Sequence, residues 1–389
     1  MKRLSLTVLP ALLLVLMLGA CEDGGPLDPA NSASWDAAAF DAERAGSPAL
    51  GVMSWNVYVG ADLTQLLAIA DPSQIACGVK GVWDDVQDTD FASRAEAIVD
   101  QIEASNPHVI GLNEVSTFDF LHNTFDADLV FLDILTAELD SRGLDYSVPA
   151  DAVSTNFTIQ LPISYTSDCA IHDAITYTEY DVLLVRDDVP VLDSSHGNFA
   201  MPLPLPLPGG DLPKFSGWAS ADITLKSLPY RVFTTHLEPA DTGPCETGNP
   251  GLLFIHDQQA NELRSILAGS EYPVVLTGDL NSDASGCTTD TFENLLGDGF
   301  VDAWTIGRPL GRGYTANQDD DLLNGASKLF HRIDFVLYRD AFTAEKGVFR
   351  GSSHAFLVGE DPADKTSAGL WPSDHAGVVA ELRIAPGKS

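Results

Sequence analysis

The chain has 389 residues with 56 acidic side chains against 21 Lys and Arg, a formal net charge of −35. A field of that sign repels polyanions, so an extended nucleic-acid groove is disfavoured, while a small anionic group held by a cation at one focused point is not. At 45 % hydrophobic residues the chain is rich enough in apolar side chains to bury a large core.

The first stretch, MKRLSLTVLPALLLVLMLGAC, sets two basic residues before an apolar run and a small-residue pair before Cys21. It reads as an export signal over residues 1–20, with LGAC as a lipobox and Cys21 as the lipidation site. Ordinary secretion is the rival reading, and a spanning helix is disfavoured by Pro10 and by the short apolar length. Loss of Lys2 and Arg3 with the signal takes the charge from −35 to −37. Residues 21–48 mix Gly, Pro, Ser and acids and form an acidic tether. These features predict an exported bacterial lipoprotein, anchored to a membrane through Cys21 and facing the periplasm or exterior. One domain is expected over residues 49–385, since no later stretch of linker composition divides the chain.

Along that domain, LGVMSWNVYVG (50–60) reads as a strand running to Asn56. Phe91, Ala95, Ile98 and Ile102 recur at helical spacing over 91–105 and Pro107 closes the segment. VIGLNEV is a short strand ending at Asn113 and Glu114, and LVFLDILTAELDSRG is a second helix stopped by Gly143. MPLPLPLP (201–208) has proline at every second position, which excludes an interior strand and leaves an edge or an extended loop. It either packs on its own domain or forms an apolar rim facing lipid or an apolar substrate.

The alternation then returns: YRVFTTHLE delivers His236 and Glu238 at a strand end, HDQQANELRSILAG is a helix, and YPVVLTGDLNS delivers Asp279 and Asn281. FHRIDFVLYR adds Asp334, and GLWPSDHAGVV adds Asp374 and His375. Sheets covered by helices place their sites at strand ends, where loops converge. These residue types suit phosphoester hydrolysis. Carboxylates such as Glu114, with Asn56 or Asp374, suit a hard cation such as Mg²⁺. Asp279 can orient or deprotonate water, and Asn281 projects to the same side of an extended chain. His236 and His375 can present positive N–H groups to phosphoryl oxygens.

In order and spacing, SWNVY, LNEV, THLE, GDLNS, RIDF and PSDH resemble the endonuclease/exonuclease/phosphatase superfamily, over nearly all of residues 50–384. The resemblance implies a four-layer α/β/β/α sandwich of the DNase I type and divalent-metal-dependent phosphoester hydrolysis, with Mg²⁺ as the expected ion and Mn²⁺ or Ca²⁺ as alternatives. It implies that Glu114 binds metal, with Asn56 and Asp374 near it. It also implies that Asp279 handles the water, Asn281 positions water or phosphate, and Asp334 pairs with His375. Tyr58 stands where many nucleases of the superfamily carry an acid, so Asp62 and Glu238 are further candidate ligands. Glu114 is followed by Val115-Ser116, without the basic residue that nucleases of the superfamily often carry there.

The substrate class expected is a phosphate ester, most directly a phosphodiester. A phospholipid or sphingomyelin headgroup hydrolase is the alternative, and a domain that binds ligand without turnover is a reading of another class. No obligate protein partner is indicated. Beyond Cys21, the four cysteines Cys77, Cys169, Cys245 and Cys287 of an exported chain suggest two disulfides; sequence leaves three pairings open, of which Cys77–Cys169 with Cys245–Cys287 is preferred. The second pair flanks the THLE and GDLNS strands; the first follows by elimination.

Overall fold

The computed structural model describes residues 49–385, apart from 208–209, 241–248, 309–310 and 342–347. The expected signal peptide (1–20), the lipidation site Cys21, the tether 21–48 and Cys245 lie outside the described residues. Among the described residues no helix is long and apolar enough to cross a membrane.

In chain order the strands are β1 (Ala49–Asn56), β2 (Val109–Phe120), β3 (Leu129–Val130), β4 (Tyr146–Ser147), β5 (Val153–Ile163), β6 (Asp173–Arg186), β7 (Val191–Asn198) and β8 (Leu203–Leu207). They continue as β9 (Gly210–Lys214), β10 (Gly217–Leu225), β11 (Leu228–His236), β12 (Val274–Asp279), β13 (Val301–Asp302), β14 (Asp334–Arg339), β15 (Val348–Val358) and β16 (Gly377–Ala385). One sheet has the order β15-β16-β1-β2-β6-β4, with β3 on β2 and β5 on β6; the other has the order β13-β14-β12-β11-β10-β7. β8 and β9 form a hairpin outside both sheets.

The two sheets stack face to face, and helices cover their outer faces, giving the four-layer α/β/β/α sandwich. On the first sheet, the helices Phe91–Ser105 and Phe131–Ser141 meet through stacked Phe91 and Phe131, while Trp83 of the helix Ile75–Asp88 packs on Phe118 and Phe120 of β2. On the second, Ala260, Leu263 and Leu267 of the helix Pro250–Ala268 and Phe292 and Leu295 of the helix Thr291–Gly297 cover Phe233, Leu276 and Phe335. The helix at 250–268 starts six residues before the expected one, because Asn249 caps Gly251 and Pro250 presets its first turn.

Between the sheets the side chains follow one rule. On β1 the inward row Leu50, Val52, Ser54 and Asn56 passes from apolar to polar along the strand. β2 repeats it with Val109, Gly111 and Asn113, β11 with Tyr230, Val232, Thr234 and His236, and β12 with Val275, Thr277 and Asp279. Tyr338, Val336 and Asp334 of β14, read backwards, do the same. The apolar members form one buried core between the sheets. Their burial supplies the main stabilisation, at roughly 25 cal/mol per Å² of apolar surface. At the other end the sheets come close: a Cβ on Gly111 would lie 2.1 Å from Thr277 Oγ1 of the facing sheet, while within the second sheet one on Gly278, at φ 135°, would lie 1.9 Å from Thr235 O of the neighbouring β11. Glycine is required at both, and Gly278 N donates across to Ser54 Oγ at 2.8 Å.

The Cys77–Cys169 disulfide is present, closing a sequence separation of 92 residues. Cys287 is also disulfide-bonded, while its expected partner Cys245 lies outside the described residues. MPLPLPLP becomes β8 of the hairpin, an edge arrangement compatible with its missing donors.

Candidate active site

The polar ends of these rows form one site. The register sets His236 of β11 beside Asp279 of β12, and Asp279 beside Asp334 of β14. On the facing sheet Asn56, the last residue of β1, is paired with Asn113 inside β2. Asn113 reaches across: its Oδ1 accepts from Asp279 N at 3.2 Å, and its Nδ2 donates to Thr235 O at 3.1 Å and to Asp181 at 2.7 Å.

Glu114 is not at a strand end. β2 continues to Phe120, and a register shift between Leu112 and Val115 leaves Glu114 in a bulge with φ of 57°. Bulges re-aim a side chain, here toward Asn56, whose Nδ2 donates to Glu114 Oε1 at 2.8 Å and to Asp279 Oδ2 at 3.3 Å. The Asn56 side-chain oxygen Oδ1 accepts from Tyr58 N at 3.0 Å, so the amide is fixed in place while its Nδ2 bridges the two carboxylates. Burial, and then Asp374, push the Glu114 carboxyl up to about 7; burial also raises Asp374. Two half-buried carboxylates, each with its proton affinity raised and Glu114 further raised by Asp374, are a donor set a divalent cation would relieve, and Mg²⁺ fits it.

The loop carrying Asp374 is tied to β1. Ser373 Oγ donates to Asn56 O at 2.7 Å, and Trp55 Nε1 donates to His375 O at 3.0 Å. Beneath both lies Arg94, fully buried, whose guanidinium donates to the carbonyls of Val57, Tyr58, Thr89 and Pro372. Burial lowers its pKa to about 10, which leaves it charged at neutral pH.

His375 Nδ1 and Asp334 Oδ2 are 2.8 Å apart and buried. Burial opposes the imidazole's charge, but Asp334, Asp374 and Asp279 outweigh it and lift His375 well above its ordinary value. Asp279 is buried, 4.0 Å from His375 and 3.6 Å from His236, and burial, then Asp334, raises its pKa strongly. Ligand atoms of Asp279, Asp334 and His375 lie within 4.8 Å of one another, a second place where a cation could sit, although His375 Nδ1 is already committed to Asp334. Asp283, Cys287 and His331 form a similar group, but Cys287 is disulfide-bonded and offers no thiolate.

Several sequence expectations need correction. Asn281 does not lie on an extended chain: β12 stops at Asp279, Asn281 is left-handed at φ 46°, and its N–H caps Asp279 Oδ1 at 2.8 Å. Its Nδ2 donates to Leu237 O at 2.8 Å and faces His236 Nε2 at 3.1 Å. His236 is not a cation, because burial lowers its pKa to about 4. Glu238 lies past the end of β11, so period-two logic fails; its buried carboxylate accepts from Lys214 Nζ at 2.7 Å and Ser216 Oγ at 2.9 Å. Asp62 caps a short 3₁₀ turn, accepting from Thr64 N at 2.8 Å and from its hydroxyl at 2.6 Å.

Sequence reading missed Glu179, Asp181, Arg94 and Lys214. Val185, Leu183, Asp181 and Glu179 of β6 continue the same inward row, so two acids at alternate positions in an apolar strand were the signal. Asp181 accepts from Asn113 and Asn156, and burial raises it to about 7. Burial opposes the charge of Glu179, but Lys214 and the hydrogen bond from the Tyr177 hydroxyl hold its pKa low, and its Oε1 is buried without a hydrogen-bond partner.

The profile of the Endonuclease/Exonuclease/phosphatase family matches residues 53–375. The chain belongs to this family. Its members are hydrolytic phosphoesterases. Among solved structures, the family protein from Leptotrichia buccalis superposes with a TM-score of 0.51 at 15 % identity, covering 86 % of this chain and 99 % of that one. TDP2 of D. rerio, complexed with a single-strand DNA product, gives 0.50 at 17 % identity over 86 % and 99 %. At these identities the likeness speaks to the fold alone. No curated protein matches the chain in sequence.

Proposed function

We propose that this family member hydrolyses phosphodiesters by in-line attack of water, with Mg²⁺ as the working ion and Mn²⁺ or Ca²⁺ as substitutes. The observation that carries the reading is the buried carboxyl of Asp279 set between His236 and the Asp334–His375 pair, on strand ends facing Glu114 and Asp374. Glu114 and Asp374 would hold the ion, which when bound supplies neutralising charge to the phosphoryl and leaving oxygens.

Asp279 accepts the proton of the attacking water. Its Oδ1 is fixed by Asn281 N–H and its Oδ2 by Asn56, so the carboxylate is oriented before substrate arrives. His375, kept protonated and held through Nδ1 by Asp334, directs its Nε2–H to a nonbridging oxygen as negative charge grows there. Asn281 donates to His236 Nε2, which places the neutral ring's proton on Nδ1 and makes His236 a fixed dipole.

A phospholipid headgroup diester is the second substrate reading, supported by the leucine-bearing hairpin β8–β9 at the catalytic end and by the membrane anchor proposed at Cys21. Export and anchoring rest on the sequence of residues 1–48. The test is a metal-dependent screen of the purified protein against a bis-aryl phosphodiester, an aryl monoester, DNA and phosphatidylcholine or sphingomyelin vesicles. Metal-dependent diester cleavage exceeding monoester cleavage is expected. Absence of turnover on all of them, with metal bound, would leave the non-catalytic binding domain in its place.

A further inference from the structure

Asn198, the last residue of β7, pairs with Gly217, the first of β10, yet 18 residues run out and back between them. That excursion carries the hairpin β8–β9. Trp218 pairs with Thr235, next to His236, so the hairpin leaves the second sheet at its catalytic end. Prolines 204, 206 and 213 are exposed while Leu203, Leu205 and Leu212 are half-buried. Proline fixes φ and lowers the freedom lost on ordering, so the hairpin is a stiff arm. Its base is tied down by Phe199 N to Ser216 O at 2.9 Å and Phe215 N to Asn156 O at 3.1 Å.

Lys214 is the final residue of this arm, and its ammonium is directed by Glu238, two residues beyond His236. An ammonium carries three donors, and Glu238 takes one of them. The Glu238 side chain is 2 % exposed while that of Lys214 is 20 % exposed, so the pair is anchored from below and open above. The charge of Lys214 bears on Glu179, Glu114 and His236, the groups lining this side of the site. Other positive charge is scarce there. His236 is neutral, the guanidinium of Arg94 is occupied by four backbone carbonyls, and Val115-Ser116 brings no base after Glu114.

We propose that Lys214 is a substrate-binding residue, its ammonium steered by Glu238 onto a nonbridging phosphoryl oxygen on the His236 side of Asp279. This rests on the phosphoesterase reading above. The two positive contacts to the phosphoryl group then come from opposite flanks, His375 on one and Lys214 on the other. The proline–leucine arm is what fixes the second.

Removing Lys214 alone leaves Glu238 buried and unpaired, which threatens the fold. The test therefore uses the double variant Lys214→Met/Glu238→Gln beside Lys214→Arg, with circular dichroism melting on each. KM and kcat are measured on bis(p-nitrophenyl) phosphate, and the Kd of inorganic phosphate is measured calorimetrically at fixed Mg²⁺. Loss of one charge-assisted hydrogen bond should raise KM and the phosphate Kd about 10- to 100-fold in the double variant, with kcat changing less. Lys214→Arg should stay within several-fold of the natural protein. A folded double variant that binds phosphate as tightly as the natural protein overturns the assignment and leaves Lys214 as a hairpin lock. If the natural protein cleaves no phosphoester yet loses phosphate binding in the double variant, the hydrolase reading fails and the anion contact of Lys214 stands.

Discussion

Replacing Asp279 by Asn separates what that side chain does for catalysis from what it costs the fold. The carboxyl is 2 % exposed, lies beside Asp334 and is raised strongly by burial and that neighbour. A raised acid binds its proton more tightly folded than unfolded, so stability falls as pH climbs from the unfolded value near 4 toward the folded one. The amide of Asn carries no charge and removes this cost. It also keeps an oxygen for the Asn281 N–H, and gives up only the 3.3 Å contact from Asn56. Metal-free Asp279→Asn should therefore be more stable at neutral pH by about 1 kcal/mol, or roughly 2–4 °C in Tm. Turnover should move the other way. Removal of a positioned proton acceptor costs about 10²–10⁴ in kcat, or roughly 3–5 kcal/mol of transition-state stabilisation. Scanning calorimetry of the metal-free protein and steady-state kinetics at saturating Mg²⁺ measure the two effects on one preparation. Near-natural kcat in the folded variant, or a loss of activity that only tracks a lower Tm, would refute the assignment of Asp279 to the water.

Glu114→Gln should instead weaken the ion: the Mg²⁺ concentration for half-maximal activity should rise by about 10- to 100-fold, with part of kcat recovered at excess metal, as a kinetic titration will show. Arg94→Lys keeps the charge but loses the fork that gathers four carbonyls; chemical denaturation should show a loss of about 2–4 kcal/mol, and kcat/KM should fall about 10- to 100-fold as the β1 end and the Asp374 loop separate. His236, with a folded pKa of about 4 against 6.5 ordinarily, is a depressed base. The unfolded chain binds its proton first, so this contribution is present above pH 6.5, is lost as pH falls toward 4, and amounts to about 3 kcal/mol. Denaturation of metal-free His236→Gln across that window should lack this component relative to the natural chain.

The order of the motifs was enough to show the family, and with it the sandwich, and the strand ends that carry Asn56, His236, Asp279 and Asp334. Each of these sits where an apolar period-two row meets a polar terminus, and that is a short-range property of the chain. Glu179 and Asp181 obey the same rule and are legible in TYTEYDVLLV, but they lie inside β6, with no turn or terminus beside them to mark a site. The remaining assignments depend on neighbours far away in sequence. Glu114 points into the site because a bulge against β6 turns it, and a bulge is a mismatch between two strands that neither one encodes alone. Asn281 is left-handed because its N–H closes on Asp279, and Glu238 serves Lys214 because β11 stops two residues earlier. Arg94 reads in sequence as a polar residue on a helix; only the packing of that helix under two loops turns it into the buried fork that holds Asn56 and Asp374 together. The charge states follow the same division. Residue type supplies a titratable group, but burial and the charges packed against it make His236 neutral and His375 positive, and both are set by tertiary contacts.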